Sequence, residues 1–213
     1  MPDPIRVITA DDHPVVLMGL RSLVESDPGL ALVGGFTDGA EAFACIRDQQ
    51  PDVAVLDVNM PTMGGVSVLQ SVRATNSSCR IILLAAHFSD DDIVAAVQFG
   101  ARCIMPKDAV AGDLIKCIRT VAGGATCLPP NLLRPAMARV EERQRRHRWL
   151  EELLTAREYE IFALAATGLP NKVMAGQIGV TEGTIKLHLN NIYTKLEISS
   201  RGELVRLARS LET

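Results

Sequence analysis

The stretch PDVAVLDVNMP, residues 51–61, contains an unbroken apolar run, residues 53–56, that ends in the carboxylate of Asp57. A continuous run rich in β-branched residues is typical of a strand that is buried on both faces of a parallel sheet. Open α/β sheets bind their ligands outside the carboxyl ends of such strands. The stretch therefore predicts a buried strand that brings Asp57 to the functional edge of a sheet.

Four similar apolar runs occur elsewhere in the first 123 residues, and segments with helical periodicity separate them. Asp38 followed by Glu41 predicts a capping box at one helix start, and Ser89 precedes three aspartates at another. This alternation is typical of a doubly wound parallel sheet with helices on both faces. The strands are predicted at residues 5–10, 30–36, 53–57, 80–85 and 102–105.

Charge is distributed unequally along the chain of 213 residues, whose net charge is -3. Residues 1–123 contain 9 Lys+Arg and 15 Asp+Glu, whereas residues 124–213 contain 13 and 10. An acidic first part can hold a cation, and a more basic second part can face a polyanion such as a nucleic acid.

Membrane insertion and export are not expected from this sequence. The longest apolar runs, such as residues 81–86, are too short to span a bilayer, and the first residues lack a signal-peptide pattern. Five cysteines, an odd number with no C-x-x-C pair, predict reduced core thiols in a cytoplasmic protein.

A linker is predicted after the double glycine at residues 123–124. LPPNLLRP, residues 128–135, predicts a break in regular structure, and residues 136–153 predict a charged helix. We expect Trp149 to pack this helix against a domain. The basic run of the helix either forms a solvated face or touches nucleic acid. The expected boundaries are 1–123 for the first domain, 124–152 for the linker and 153–213 for an all-helical domain.

Acidic side chains follow two of the predicted strands, and a lysine follows a third. Asp11 and Asp12 come after the first strand, Asp57 ends the third, and Lys107 follows the fifth. Because the carboxyl ends of parallel strands meet at one edge, we expect these side chains to converge. Close carboxylates need a cation, and oxygen ligands favour Mg²⁺. A carboxylate beside Mg²⁺ can attack a phosphoryl donor; the alternative is that these acids only cap loops.

The segments ADDHP, VAVLDVNMP and MPKD, in this order, resemble the receiver domain of two-component response regulators. The resemblance covers about residues 1–123 and implies a flavodoxin-like fold of five parallel strands with flanking helices. It implies that Asp57 accepts phosphate from a sensor histidine kinase and that Lys107 contacts the phosphoryl group. It also implies a Mg²⁺ site that comprises Asp11, Asp12, Asp57 and the backbone carbonyl of Asn59.

Two positions depart from the pattern of that family. Receivers usually carry Thr or Ser at the end of the fourth strand and Tyr or Phe in the fifth, where this chain has Ala85 and Ile104. Gly64, where an acid is common, is a minor difference. The phosphoryl site is therefore complete, while the positions that transmit its state are altered. Either the switch uses other contacts, or the domain favours one state whatever its phosphorylation.

The segment TEGTIKLHLNNIYTKL, residues 181–196, has the periodicity of an amphipathic helix capped by Thr181. Its apolar residues fall four, three and four apart, so they share one face, which we expect to be buried. Amides and an apolar side chain on the outer face can contact base edges in the DNA major groove, and lysines can meet phosphates. A plain amphipathic helix is the alternative. The buried face comprises Ile185, Leu189, Ile192 and Leu196; the outer face comprises Leu187, Asn190, Asn191 and Thr194, with Lys186 and Lys195 at its margins.

Residues 153–208 resemble the LuxR-type helix-turn-helix domain of NarL/FixJ response regulators. The resemblance implies four helices, of which the third contacts DNA and the fourth, residues 199–210, commonly dimerises. Asn190 stands where Lys is frequent, which should weaken the electrostatic contribution to binding. The positions that carry the resemblance are Thr155, Arg157, Glu158, Gly168, Asn171, Lys172, Ala175, Gly179, Thr184, Lys186, His188 and Lys195. The candidate DNA contacts are Lys172, Thr181, Thr184, Lys186, Leu187, His188, Asn190, Asn191, Thr194 and Lys195.

These features predict a cytoplasmic bacterial response regulator, not an enzyme, that binds promoter DNA as a homodimer under control of Asp57 phosphorylation. The expected partners are double-stranded DNA, a sensor histidine kinase and, as a further candidate, RNA polymerase, with no membrane. Three alternatives stay open: a receiver that serves only dimerisation, an aspartyl-phosphate phosphatase, and a quorum-sensing regulator. The phosphatase is disfavoured because no second acid stands two residues after Asp57, and the quorum sensor because acids line the predicted edge.

Overall fold

The computed structural model describes residues 3–212, apart from the side chains of Ala111 and Glu212. These residues divide into two compact units between Ala138 and Arg139. Within the described range, no helix is both long and apolar enough to cross a membrane.

The first unit contains one five-stranded sheet whose paired strands are all parallel, in the order β2-β1-β3-β4-β5. This confirms the predicted flavodoxin-like sheet. Only the fifth strand differs, since it begins and ends one residue later than predicted. The strands are β1 Ile5–Ala10, β2 Leu30–Phe36, β3 Val53–Asp57, β4 Arg80–Ala85 and β5 Cys103–Pro106.

Helices cover both faces of the sheet. One face packs Ile8, Leu56 and Leu83 into one apolar cluster, and the other packs Val55 and Leu84 into a second. Because both faces are buried, the strands are apolar at consecutive positions rather than at alternate ones. The helices are α1 Pro14–Glu25, α2 Gly39–Gln49, α3 Gly65–Ala74, α4 Asp90–Phe99 and α5 Val110–Ala122, with a 3₁₀ turn at Lys107–Ala109.

Two predicted helix starts in this unit have different outcomes. Ser89 and Asp92 form a reciprocal capping box at α4, where an acid-rich start was predicted. At α2, Asp38 is the cap, but its carboxylate accepts from the backbone N–H of Ala40. No return bond from the exposed Glu41 side chain occurs among the described residues, so the predicted capping box is wrong there.

The predicted break at residues 128–135 is wrong, because helix α6 spans Pro130–Leu153 and contains Pro135. Pro130 occupies the first helical position, where the missing backbone N–H would have had no partner in the helix. Leu132 and Leu133 then pack against the apolar cluster of the first unit, beside the fully buried Ala136. This burial outweighs the single hydrogen bond that Pro135 removes. The division between the two units lies within α6.

The second unit is all helical and follows the predicted four-helix pattern. The prediction for Trp149 is wrong: its side chain is 45% exposed, whereas the next residue, Leu150, is fully buried in the core of this unit. A helix presents adjacent residues to different directions, about 100° apart, so only one of the two can face the core. The helices are α7 Ala156–Ala166, α8 Asn171–Ile178, α9 Glu182–Lys195 and α10 Arg201–Glu212.

Capping side chains and glycines mark the helix ends of the second unit. Thr155 and Glu158 form a reciprocal capping box at α7. At α10, the hydroxyl of Ser200 accepts from the backbone N–H of Glu203, and the Glu203 carboxylate accepts from the backbone N–H and the hydroxyl of Ser199. Glycines in the left-handed conformation follow α7 and α8, at Gly168 and Gly179.

Candidate functional site

The acids predicted at the carboxyl edge of the sheet do converge there. Asp11 and Asp57 are buried, with 0% and 2% of their surfaces exposed. The ammonium group of Lys107 lies between them, 2.7 Å from Asp11 Oδ2 and 3.1 Å from Asp57 Oδ1. Side chains that are 46 and 50 residues apart in sequence thus form one cluster, because β1, β3 and β5 all end at this edge.

Asp12 and His13 complete the cluster at the start of α1. The backbone N–H of His13 donates to Asp11 Oδ1, and its Nδ1 lies 2.6 Å from Asp12 Oδ1. One ligand atom from each of Asp11, Asp12, His13 and Asp57 lies within 4.8 Å of the others. The buried oxygens Asp11 Oδ2 and Asp12 Oδ1 lie close to the Lys107 ammonium and to His13 Nδ1, respectively, and no other hydrogen-bond partner for them occurs among the described residues. These residues therefore fit a hard cation that accepts oxygen ligands.

The charges of the cluster oppose one another. Burial raises the pKa of Asp57, the hydrogen bond and charge of Lys107 lower it, and the nearby Asp11 raises it again, with a net rise above the ordinary value. Burial lowers the pKa of Lys107, but hydrogen bonds to the two acids outweigh this, so the net shift is upward. A single ammonium group therefore compensates two buried carboxylates, which leaves the edge attractive to a second cation.

The loop after β3 depends on two glycines whose importance was missed from the sequence. A Cβ at Gly64 would lie 2.6 Å from the carbonyl oxygen of Val58, and one at Gly65 would clash with the carbonyl oxygen of Asp57. The loop therefore folds back tightly on the end of the strand that carries Asp57, and Gly64 is more than a minor difference. The adjacent glycines themselves were the available signal. Asn59, the predicted carbonyl ligand, is exposed in this loop.

The two atypical positions lie next to this edge and are fully enclosed. Ala85 ends β4, with 0% of its surface exposed, and pairs in register with Pro106. Ile104, in β5, is 1% exposed and belongs to the same apolar cluster as Ala85. Neither side chain can donate a hydrogen bond to a phosphoryl group on Asp57.

Helix α9 has the two faces predicted for it. Ile185, Leu189 and Ile192 are buried, whereas Leu187 is 62% exposed. Single exposed leucines are common on protein surfaces, so the position of Leu187 among amides and lysines matters more than its exposure alone. The other outer residues, Lys186, Asn190, Asn191 and Thr194, are also exposed, as is Lys172 on α8.

Several predicted DNA contacts also have partners within the unit. The ammonium of Lys195 lies 2.6 Å from Glu158, and this hydrogen bond, together with the backbone N–H of Thr155, lowers the Glu158 pKa to about 2. Because Glu158 is buried, Lys195 is part of the fold as well as a candidate contact. The exposed pair of Lys186 and Glu182 is looser, at 3.1 Å.

The remaining candidates lie at the start and side of α9. The hydroxyl groups of Thr181 and Thr184 are 2.8 Å apart, and Thr181 caps the helix by accepting from the backbone N–H of Thr184. His188 is half-buried, and its Nδ1 is enclosed without a hydrogen-bond partner in the described part of the chain.

Two family models match the chain, one in each unit. The model described as response regulator receiver domain matches residues 7–119. The model described as bacterial regulatory proteins, luxR family, matches residues 152–208.

Similar proteins share both units. Nitrate/nitrite response regulator protein NarL of Escherichia coli strain K12 is 31% identical over 201 residues, which cover 94% of this chain and 93% of that protein. Transcriptional regulatory protein LnrK of Bacillus subtilis strain 168 is 32% identical and covers 92% and 93% of the two chains.

Solved structures are similar over the same length. The crystal structure of response regulator ChrA, from a heme-sensing two-component system, matches with a TM-score of 0.55 and 31% identity over 98% of both chains. An RcsB–DNA complex matches with a TM-score of 0.60 over 98% of this chain and 99% of that one, at 22% identity, which indicates a shared fold alone.

Proposed function

This chain belongs to the two-component response regulators that join a receiver domain to a luxR-family DNA-binding domain, and we propose that phosphorylation of Asp57 controls its activity as a transcription regulator. The observation that carries the proposal is the buried carboxylate of Asp57 at a strand end, 3.1 Å from Lys107 and beside two further acids. Burying two acids beside a third costs free energy, so packing alone does not account for the arrangement.

In the proposed reaction, a carboxylate oxygen of Asp57 attacks the phosphorus of a phosphohistidine on a sensor histidine kinase. The new P–O bond replaces the P–N bond, and the histidine of the kinase leaves as a neutral imidazole after taking up a proton from solvent. The Lys107 ammonium pairs with oxygens of the transferred group and keeps them close to Asp57. Asp11, Asp12, Asp57 and the backbone carbonyl of Asn59 would hold Mg²⁺. Bound there, Mg²⁺ neutralises the carboxylates and stabilises the charge on the phosphoryl oxygens.

In the proposed DNA complex, α9 lies in the major groove. Leu187 contacts a thymine methyl group, Asn190 contacts a base edge, and Lys186 lies at the margin where it can reach a phosphate or a base. Each of these side chains is exposed. The other contacts are proposed at Lys172, Thr181, Thr184, His188, Asn191, Thr194 and Lys195. Lys195 would reach a phosphate only by sharing its ammonium group with Glu158.

The active form is proposed to be a homodimer in the cytoplasm, bound to two half-sites of a palindromic promoter element. A two-fold dimer presents two copies of α9 to two half-sites of DNA. The fourth helix, α10, is the proposed dimer contact, and RNA polymerase is a candidate partner at the promoter. The domain limits of 1–123, 124–152 and 153–213 are proposed as the working division for separate expression.

A second candidate function is DNA binding that does not depend on phosphorylation. The observation that favours it is the pair of atypical positions, because Ala85 and Ile104 are buried and offer no hydroxyl group and no aromatic ring. In that case the receiver serves dimerisation, and the acidic edge has no effect on DNA affinity.

One experiment separates the two candidates. The full chain is incubated with Mg²⁺ and acetyl phosphate, intact mass reports added phosphate, and the same samples are titrated with a DNA site selected from random sequence at fixed salt. The proposal expects one phosphate per chain, none on Asp57→Asn, and tighter DNA binding after addition. Asp108→Asn, at an exposed acid close to the same edge, is the matched control and should behave as the unmodified chain.

Other outcomes are equally informative. Phosphate on Asp57 with unchanged DNA affinity would favour the phosphorylation-independent regulator. Repeated hydrolysis of a phosphomonoester, rather than one stoichiometric addition, would indicate a phosphatase. Absence of saturable, sequence-selective DNA binding in every state would overturn both candidates.

A further inference from the structure

Three of the five cysteines converge from three different elements, away from the acidic edge. Cys103 lies in β5, Cys117 in α5, and Cys127 in the segment between α5 and α6. One sulfur atom from each lies within 4.8 Å of the other two. Cys103 is buried, whereas Cys117 and Cys127 are half-buried, and none of the three is in a disulfide.

Backbone hydrogen bonds fix this convergence. Cys127 forms an isolated parallel bridge with Cys103, in which its N–H donates to the carbonyl of Arg102 at 2.7 Å. Its carbonyl accepts from the N–H of Ile104 at 3.4 Å. Cys127 is therefore held beside β5 as a short extra strand, and Cys117 approaches both cysteines from the helix packed on that face.

The cluster is accessible from solvent. A cavity of about 440 Å³ is lined by the three cysteines together with Asp113, Lys116 and Thr120. Asp113 lies one helical turn before Cys117, so both side chains face the cavity. An ion can thus enter without unfolding of the receiver, and a carboxylate stands at the entrance.

We propose that Cys103, Cys117 and Cys127 form a binding site for a thiophilic metal cation, of the class that contains Zn²⁺ and Cu⁺. Thiolates are the preferred ligands of both ions. Metal–sulfur bonds of about 2.3 Å place the three sulfurs of such a site on the order of 4 Å apart, which agrees with the observed grouping within 4.8 Å. Asp113 or water supplies the fourth ligand that Zn²⁺ requires, and three sulfurs satisfy Cu⁺.

Binding of a cation at this cluster would be coupled to deprotonation of the thiols. Burial and the neighbouring cysteines raise the pKa of Cys103, and burial and Cys127 raise the pKa of Cys117 to about 11. Thiols with raised pKa values react slowly with oxidants and electrophiles, since the thiolate is the reactive form. A bound cation removes the protons and stabilises the three thiolates, so binding releases protons to the solvent.

A bound ion would act on the start of the linker helix. Cys127 precedes Pro130, the first residue of α6, by three positions, and the adjacent Leu128 packs on the receiver core. Coordination would tie this segment to β5 and α5. The site does not use Asp57, so it is a second input to the receiver, and failure of either proposal leaves the other intact.

The test uses the full, reduced chain after treatment with a chelator. Cd²⁺, a spectroscopic substitute for Zn²⁺, is titrated and the thiolate-to-cadmium absorption is followed; Zn²⁺ and Cu⁺ are then tested as competitors. We expect one ion per chain, release of protons on binding, and loss of the absorption in Cys117→Ser and Cys127→Ser. Cys45→Ser, at a half-buried cysteine outside the cluster, is the matched control and should retain it. Displacement by Zn²⁺ or by Cu⁺ identifies the preferred ion of the class.

A second measurement needs no variant. Prolonged alkylation of the unmodified chain, mapped by mass spectrometry, should show that the bound ion protects the half-buried Cys117 and Cys127 and leaves Cys45 reactive. Equal alkylation with and without metal, or equal absorption in the cluster variants and the control, would overturn the proposal. So would a disulfide within the cluster, detected as a loss of two hydrogens after exposure to air, in a chain that binds no ion.

Discussion

The receiver and the DNA-binding unit each bury a carboxylate beside a lysine, yet the pKa values of the two carboxylates move in opposite directions. Asp57 shares Lys107 with Asp11, and burial raises its pKa. Glu158 is bonded to Lys195, at 2.6 Å, and to the backbone N–H of Thr155, so its pKa falls to about 2. Burial of an acid is thus favourable only where donors are dedicated to it.

The buried carboxylates of the two units have different roles. In the receiver, the proposed functional groups are buried and incompletely compensated, so they favour a ligand over the bare protein. In the DNA-binding unit, the buried pair stabilises the fold, and the proposed functional groups, such as Leu187 and Asn190, are exposed. In the receiver, substitutions at the functional groups should therefore change stability and function in opposite directions. In the DNA-binding unit, a substitution should change one of the two without the other.

Glu158→Ala should have the largest effect on stability. It removes the reciprocal cap of α7 and leaves Lys195 half-buried without its partner, so we expect a loss of about 2 kcal/mol from the unfolding free energy, of which the cap contributes about 1. Chemical denaturation of the DNA-binding unit measures it. Glu160→Ala, on the same helix at an exposed pair with Arg157, should change stability by less than about 0.5 kcal/mol.

The pH dependence identifies the origin of that loss. Because the folded pKa of Glu158 is about 2 and its ordinary value is 4.5, its contribution is fully present above about pH 4.5. It disappears progressively as the pH falls toward 2. Glu158→Ala should lack this component of acid destabilisation, and an unchanged pH profile would contradict the assignment of the shift to the folded pair.

Leu187→Ala should affect DNA binding without affecting stability. Loss of the contact with a thymine methyl should weaken binding to a selected DNA site about tenfold, near 1.4 kcal/mol, with little change on scrambled DNA. Fluorescence anisotropy at fixed salt measures both affinities. Val15→Ala, at an apolar side chain of the receiver that is 81% exposed, is the control for surface truncation. Equal weakening on both DNAs, or a lower melting temperature, would contradict the assignment of Leu187 to sequence-selective DNA binding rather than to stability.

Asp57→Asn should stabilise the receiver, in contrast to Glu158→Ala. An acid with a raised pKa costs stability when it ionises, and this cost vanishes as the pH falls below its ordinary pKa. The amide removes this cost. At neutral pH without divalent cations, we therefore expect the free energy of unfolding, measured by thermal denaturation, to rise by about 1 kcal/mol. Mg²⁺ should reduce the difference, because the unmodified chain binds it more tightly.

Asp108→Asn, at the exposed neighbouring acid, should change the free energy of unfolding of the receiver by less than about 0.5 kcal/mol. A lower melting temperature in Asp57→Asn would mean that Lys107 compensates the carboxylate fully. Asp57 would then stabilise its unit as Glu158 stabilises the other.

The sheet and its acidic edge could be predicted because few residues decide them. Consecutive apolar residues mark a strand buried on both faces, and parallel strands bring their carboxyl ends together whatever lies between them. Asp11, Asp57 and Lys107 were therefore predictable as a cluster. The two faces of α9 were predictable for the same reason, since helical periodicity fixes which residues share a face.

Other features depended on packing that sequence spacing does not encode. Helix α6 continues through Pro135 because Leu132 and Leu133 bury against the core, which outweighs the local propensity of proline. The cysteine cluster joins residues 10 and 14 positions apart on different elements, so it has none of the short spacing of a metal motif. Lys195 and Glu158, 37 residues apart, meet only in the folded unit.

Ala85→Ser should have a small effect on stability, and it tests whether the phosphorylation state of Asp57 reaches DNA binding through the end of β4. The position is fully buried. The serine side chain is only one oxygen atom larger than alanine, so it should lower the free energy of unfolding by less than about 1 kcal/mol if its hydroxyl group finds a hydrogen-bond partner. With a donor at the end of β4, phosphorylation of Asp57 should change DNA affinity more than it does in the unmodified chain. Ala86→Ser, at the exposed next residue, is the control. An identical response in both variants would mean that Ile104 and its neighbours, rather than the missing hydroxyl group, set the strength of the coupling between the receiver and DNA binding.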